Sequence, residues 1–289
     1  MRITLRQLEV FMAIAKSEST TRAGQILSLS QSAVSASLHE LEQQLNVQLF
    51  ERIGKRLMLN ENARLLFPRA LAMLEQAQEL ETLFVGGRSK LKLGASTTIG
   101  NYLLPKVVAS YNHDFPAINL ILNIGNSAEV VMAVANFDVD IGFIEGPCHR
   151  PELEVKPWFR DELAIVVGAE HPLAQGYCTS QEIAAADWIL REEGSGTREV
   201  MDQLLLPHFG HLHLVMEMGN SEAIRQTVLE GKNISCLPLQ VIQHHLARRE
   251  LVRLPHPTLF RQLYLIRHKQ KHLSQGLQTF LDICSRQLR

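Results

Sequence analysis

Residues 20–45 restrict what this chain can fold into more than any other stretch, because they carry two helical patterns separated by a turn. Thr20-Thr21-Arg22-Ala23-Gly24 opens the first. Ser30 stands where its hydroxyl can accept from the free N–H groups that begin the second. Beyond that cap, Ala33, Val34, Leu38, Leu41 and Leu45 fall on one face of a helical period. Gln31, Ser32, Ser35 and His39 fall on the other. A helix that is apolar behind and lined with short polar side chains in front fits a DNA major groove. Thr20, Thr21, Gln31, Ser32 and Ser35 are the expected groove contacts, with two helices of an ordinary all-α core as the alternative.

A hairpin follows over residues 46–60, with Gly54-Lys55 at its turn and Arg52, Lys55 and Arg56 at its tip. Three cations beside a groove-sized helix suit phosphate contacts, which position a protein without reading bases. A solvated turn is the alternative for those three alone.

The combination resembles a known family. Leu5-Arg6-Gln7-Leu8-Glu9-Val10-Phe11, Thr20-Thr21-Arg22-Ala23-Gly24, Ser30-Gln31-Ser32-Ala33-Val34-Ser35, Leu41-Glu42 and Leu49-Phe50-Glu51-Arg52 are similar, in order and spacing, to the winged helix-turn-helix of LysR-type transcriptional regulators. After the Ser35 position, where the family often has a basic residue, this chain has Ala36. The resemblance covers essentially all 289 residues. It implies double-stranded operator DNA, a small-molecule anionic effector, a second or further copies of the chain (homodimer or homotetramer) and RNA polymerase as partners, with no membrane and no cofactor.

Charge bears on this reading, since DNA modules are usually basic. Residues 1–60 hold seven cations against five acids, a net +2, while residues 61–87 are at −2 and the whole chain at −1. So weak a local charge predicts that affinity comes from joining two readers in one oligomer, where the second contact is effectively intramolecular. The joint is expected in residues 61–84, where Leu66, Ala70, Met73, Ala77, Leu80 and Phe84 recur at alternating spacings of 4 and 3. That is the stripe of a two-stranded coiled coil; a helix packed on its own domain is the alternative. Leu66, Met73, Ala77 and Leu80 are the expected dimerisation residues, and Gly86-Gly87 is the expected hinge.

From residue 90 the pattern becomes alternating strands and helices, and it occurs twice. Gly125-Asn126-Ser127 is echoed by Gly219-Asn220-Ser221 94 residues later. Repeated β-α-β-α-β units predict two parallel-sheet lobes, with crossings expected at residues 159–163 and 263–267. The expected class is therefore α/β with an N-terminal all-α winged helix-turn-helix and a two-lobed, periplasmic-binding-protein-like effector domain. Its expected domains are 1–60 (DNA binding), 61–88 (linker helix and hinge) and 89–289 (effector binding). Within the last, lobe I comprises 89–161 and 266–289, and lobe II comprises 162–265.

Ligands of such sheets bind beyond the C-terminal strand ends, at helix N-termini. Ser96-Thr97-Thr98 and Asn126 stand at such ends in one lobe, and Ser195-Gly196-Thr197-Arg198 in the other. Small polar turns at helix starts cradle anions, and Arg198 can fork onto an oxyanion. Plain capping explains either turn alone. Glu145 should reach the same cleft, where a carboxylate repels an anion unless a cation or proton intervenes. Arg198 could neutralise it, the ligand could bring a proton, or Arg150 or Lys156 could pair with it at the rim. The runs 97–102, 140–148 and 193–199 also resemble the sulfur-metabolism branch of the LysR family, which implies sulfite as effector.

Other classes fare worse. Gly94-Ala95-Ser96 lacks the second glycine of a nucleophile elbow, and no phosphate-loop or zinc-protease signature occurs. His208, His211 and His213 follow no fixed metal-ligand spacing, so no metal is expected. A helix-turn-helix-fused enzyme, or a regulator answering to an organic acid or amino acid, is the remaining alternative. Four cysteines at separations of 30, 58 and 48 show no paired spacing, no apolar run reaches membrane-spanning length, and residues 1–7 do not read as a secretion signal. A cytoplasmic protein with reduced thiols is expected.

Overall fold

The computed structural model describes residues 2–54, 56–85, 90–255 and 259–287, with residues 82–85 and 287 described in backbone only. Lys55, the Gly86-Gly87 hinge and the Phe84 side chain therefore lie outside the described residues. Contacts divide the chain into two compact units, Met1–Ser89 with Gln270–Ser274, and Lys90–Lys269 with Gln275–Arg289.

The first unit runs α1 (Leu5–Ser17), α2 (Thr20–Leu27), α3 (Gln31–Leu45), β1 (Phe50–Ile53), β2 (Arg56–Leu59) and α4 (Glu61–Val85). Local chemistry starts each helix. Thr4 and Gln7 form a reciprocal capping box at α1, while Ser19 and Ser30 cap α2 and α3. Gly24 permits the tight turn between α2 and α3, because a Cβ there would lie 2.7 Å from the Leu29 carbonyl oxygen. Val34, Leu38 and Leu41 form the buried face of α3, whereas Ala33, expected with them, is exposed. They close a core with Phe11 and Ile14, and the Phe11 ring packs against those of Phe50 and Phe67.

The 25-residue α4 carries the expected stripe, part of it against its own domain. Ala70 is buried in the winged-helix core, and Leu66 packs against the same core. Met73 is 56% exposed and Leu80 63%, with Ala77 half-buried between them. A 4-3 stripe states that one face is covered, not by what; here its first part is covered by the chain's own domain.

The second unit follows the order β3 (Lys90–Ser96), α5 (Leu104–Asp114), β4 (Asn119–Gly125), α6 (Ser127–Ala135), β5 (Ile141–Glu145), β6 (Leu153–Gly168), α7 (Ser180–Ala185), β7 (Trp188–Arg191), α8 (Gly196–Leu204), α9 (Leu206–Phe209), β8 (Leu214–Met218), α10 (Ser221–Glu230), β9 (Ile234–Pro238), α11 (Leu239–Ala247), β10 (Leu251–Arg253), β11 (Leu259–His268) and α12 (Gln275–Gln287). Its strands form one nine-stranded sheet in the order β4-β3-β5-β11-β6-β9-β7-β8, with β10 on β6. The two lobes appear as parallel sets, β4-β3-β5 and β8-β7-β9. The long antiparallel pair β6 and β11 joins them. Asn126 and Asn220, the echoed residues, cap α6 and α10 at equivalent places in each lobe.

The second crossing differs from its expected position. Leu263–Ile266 all pair with β5 and so belong to lobe I, which puts the β11 crossing just before Leu263, beside a bulge at Leu263/Tyr264. An unbroken strand carries no turn residues, so nothing local in the sequence marks where it changes lobes. Each lobe buries apolar side chains on both faces of its sheet, such as Leu93, Phe143 and Val134 in lobe I and Trp188, Ile224 and Leu237 in lobe II. At about 1.5–3 kcal/mol for each large side chain fully buried, these layers hold the strand ends in place.

Candidate functional site: a groove-reading helix and an interlobe cleft

In the first unit, the polar face of α3 forms a connected strip with α2. The Gln31 side-chain amide donates to Ser35 Oγ at 2.9 Å and to Thr20 Oγ1 at 3.3 Å. Gln31, Ser32 and Thr21 are exposed, and Thr20 and Ser35 are half-buried beside them. Behind this strip Val34, Leu38 and Leu41 anchor the helix, so its outward groups are held at fixed positions. On the hairpin, Arg52 is exposed and Arg56 is 75% exposed, its Nη1 3.4 Å from the Glu18 carboxylate. The Leu57 amide donates to the Glu18 carbonyl at 2.9 Å, which ties the wing to the end of α1.

In the second unit, the expected cleft residues converge, but around Glu145. This residue ends β5, is 1% exposed, and has both carboxylate oxygens fully engaged. Oε1 accepts from Ser96 Oγ at 2.8 Å and from the Thr98 amide at 2.9 Å. Oε2 accepts from Thr197 Oγ1 at 2.7 Å and from Arg261 Nη1 at 2.7 Å. Burial pushes this carboxyl up, but the Arg261 charge and the Thr197, Ser96 and Thr98 hydrogen bonds outweigh it and hold the group at about 2. As a carboxylate it accepts from all four partners.

Arg261 is therefore the cation that Glu145 required, in place of Arg198, Arg150 or Lys156. It is buried and also donates through Nε to Asp161 at 2.8 Å, its cross-strand neighbour at the lobe crossing. Burial raises the Asp161 carboxyl, against the pull of Arg261. Arg198 is engaged elsewhere, with Asp202 at 3.1 Å, Glu217 at 3.2 Å and the Arg191 carbonyl at 2.9 Å. Arg150 pairs with Glu152 and Lys156 with Glu154.

Further bonds cross between the lobes beside this cluster. Arg191, buried at the end of β7, donates through Nη1 across to Thr97 Oγ1 and, within its own lobe, to Ser221 Oγ, both at 3.0 Å. The Ala128 amide donates to the Gly194 carbonyl at 3.1 Å. Ser195 caps α8, and Gly196 follows where no side chain fits, since a Cβ would lie 1.5 Å from the Glu145 carbonyl oxygen. Asn126 caps α6 close to Gly194. Just outside, a cavity of about 680 Å³ lies between α6 and α8, lined among others by Ser127, Ala128, Cys148, Arg150, Gly194 and Arg198. Three histidines, His208, His211 and His213, border a separate hollow, and the described residues hold no group of three or more His, Cys, Asp or Glu able to take a metal.

Arg261, Asp161 and Arg191 escaped sequence reasoning, although two of them left a signal. Arg261 alternates in phase with Leu259 and Leu263, and Asp161 with Phe159 and Leu163, so each charge sits where the strand period calls for a core residue.

Comparison with known proteins bears on both regions. Residues 5–64 match the family described as "Bacterial regulatory helix-turn-helix protein, lysR family", and residues 86–289 match "LysR substrate binding domain". The chain is 55% identical over 286 residues to the "Uncharacterized HTH-type transcriptional regulator YeiE" of Escherichia coli (strain K12), covering 98% of each. Its fold is similar to a full-length OxyR variant from Pseudomonas aeruginosa (TM-score 0.72, 23% identity, 100% of this chain and 95% of that one). It is also similar to the regulatory domain of Synechocystis CcmR in complex with 2-PG (TM-score 0.64, 27% identity, 70% of this chain and 98% of that one). The matched helix-turn-helix family and the Escherichia coli relative are described as regulatory proteins.

Proposed function

Because the chain belongs to the LysR family of DNA-binding transcriptional regulators with an effector-binding domain, we propose that a small oxyanion, sulfite, is its effector, bound in the cavity between the lobes. The observation that carries this reading is the wall of that cavity: the N-termini of α6 and α8 approach it from opposite lobes, and Arg150 and Arg198 line it. Helix starts and guanidiniums favour anions. The sulfur-branch likeness of residues 97–102, 140–148 and 193–199 supports sulfite in particular, and the complex of the CcmR regulatory domain with 2-PG supports a small ligand in this fold. A ligand held by both lobes shifts their equilibrium through its differential affinity for the two arrangements.

Calorimetric titration with sulfite, sulfate and a neutral control tests the reading. Sulfite should bind, and Arg198→Ala should weaken it at least about tenfold, as expected for losing a charge-assisted hydrogen bond worth about 1.5–3 kcal/mol. Unchanged affinity in that variant would remove Arg198 from the site, and no response to either anion would remove sulfite. Glu199 and Asp202 in the same wall favour a second reading, a zwitterionic amino acid, which adding free amino acids to the titration series distinguishes.

On the DNA side, Thr20, Thr21, Gln31, Ser32 and Ser35 face the groove and Arg52 and Arg56 face phosphates, with Lys55 assigned to phosphates on the sequence alone. Assembly as a homodimer or homotetramer rests on Leu66, Met73, Ala77 and Leu80, of which Leu66 also packs against the winged-helix core. Cytoplasmic location and contact with RNA polymerase complete the reading, on the family resemblance alone.

A further inference from the structure

The donors around Glu145 have the form of an anion site built from both lobes. Ser96 Oγ, the Thr98 amide and Arg261 Nη1 come from lobe I and the crossing strand, and Thr197 Oγ1 comes from lobe II. Two of these donors serve each oxygen, as a binding site for a free carboxylate would be arranged. We propose that Glu145 is a tethered ligand: its carboxylate fills an oxyanion cradle shared by the lobes, keeps free oxyanions out of it, and confines the effector to the neighbouring cavity. This deepens the reading of the cleft as an effector site and rests on it for its regulatory meaning.

Three observations support exclusion. The cradle has no spare room, for Glu145 is 1% exposed and the backbone of Gly196 closes on its carbonyl. It has no spare donor, because Arg261 also serves Asp161 and donates to Thr197 Oγ1 at 2.7 Å. It also has no spare positive charge. Arg261 stands between two carboxylates, Glu145 at 2.7 Å and Asp161 at 2.6 Å, and Asp161 Oδ1 is buried without a partner. A third anion would meet net negative charge and be repelled. Without the Glu145 carboxylate, Arg261 and Asp161 balance, and the four donors face an empty space.

Acetate is the probe, since it contains the atoms that Glu145→Ala removes beyond Cβ. In the full-length chain, Glu145→Ala should bind acetate at least about tenfold more tightly than the wild type, a difference of about 1.4 kcal/mol. Acetate should raise the Tm of the variant and leave that of the wild type unchanged, because binding to the folded state stabilises it by mass action. Adding Thr197→Val to Glu145→Ala should abolish the gain. Equal acetate affinity in wild type and variant, or none in the variant, overturns the proposal. Should Glu145→Ala fail to fold alone, recovery on refolding with acetate supports the proposal, and failure to recover overturns it. Failure of the wild type to bind sulfite sinks the effector's identity only; the acetate result does not depend on it.

Discussion

The two units place their polar side chains in opposite ways. In the winged-helix unit Gln31, Ser32, Arg52 and Arg56 stand outside a core that does not need them. In the α/β unit Glu145, Arg261 and Asp161 are buried, and the lobes meet through them. An exposed group can be exchanged at small cost to the fold, so changes there alter recognition alone. A buried charge is held by its partner, so losing one leaves the other stranded in low dielectric. The difference predicts which substitutions break the molecule and which only silence it.

The largest effect belongs to Arg261→Met. It leaves Glu145 and Asp161 buried without a cation, and removing one partner of a buried pair costs about 3–5 kcal/mol. Urea unfolding should show that loss. A change below about 1 kcal/mol would erase the contrast between the units, since exposed pairs already reach that value.

Ser35→Glu comes next and should act on recognition alone. If the proposed groove reading holds, a carboxylate on the polar face of α3 replaces a hydroxyl there, and a lost or repelled base contact costs about 1–3 kcal/mol in discrimination. Operator affinity in gel shift should fall by roughly 10- to 100-fold while the Tm stays at the wild-type value. Unchanged operator affinity would remove α3 from the groove. A fallen Tm would show that the polar strip of Thr20, Gln31 and Ser35 supports the fold as well. Replacing Met73 and Leu80 with Lys tests assembly in the same spirit: light scattering should report the monomer mass, and the wild-type mass would place the interface elsewhere.

The buried network should also show itself in acid. Glu145 is held at about 2, below its ordinary 4.5, so its contribution is complete above 4.5 and lost as the pH falls from there toward 2. Asp161 is shifted the other way by burial, so its protonation favours the folded state and opposes part of that loss. Glu145→Gln should therefore have a shallower acid limb than the wild type in urea midpoints measured across that window. An identical limb would show that acid sensitivity arises outside the cluster.

What could be read from the sequence follows the same division. Ser30, Val34, Leu38 and Leu41 lie within a dozen residues, so cap and period together specify α3 without tertiary information. The strand-end turns at Ser96–Thr98 and Ser195–Arg198 were legible for the same reason. The partner of Glu145 was not, because Arg261 lies 116 residues away and meets it only through antiparallel pairing of β11 with β5 and β6. The phase of Arg261 among Leu259 and Leu263 shows that it is buried; no local pattern tells which carboxylate it meets. Leu66 shows the converse: its helical phase is legible, and the winged-helix core that covers part of it is not.

The smallest effect is expected at Arg56, where the exposed side of the comparison can be tested most sharply. Its ion pair with Glu18 is long, 3.4 Å, and both side chains are well exposed, 75% and 37%. Such a pair contributes about 0–1 kcal/mol, so Arg56→Ala should leave the Tm within error. A guanidinium on a phosphate neutralises one charge and reads no base, so affinity should weaken about equally for operator and unrelated DNA. The slope of log affinity against log salt should flatten by about 0.9, the value for one fewer phosphate contact on duplex DNA. A selective loss on operator DNA would turn the wing into a base reader. An unchanged slope would leave Arg56 as the solvated partner of Glu18.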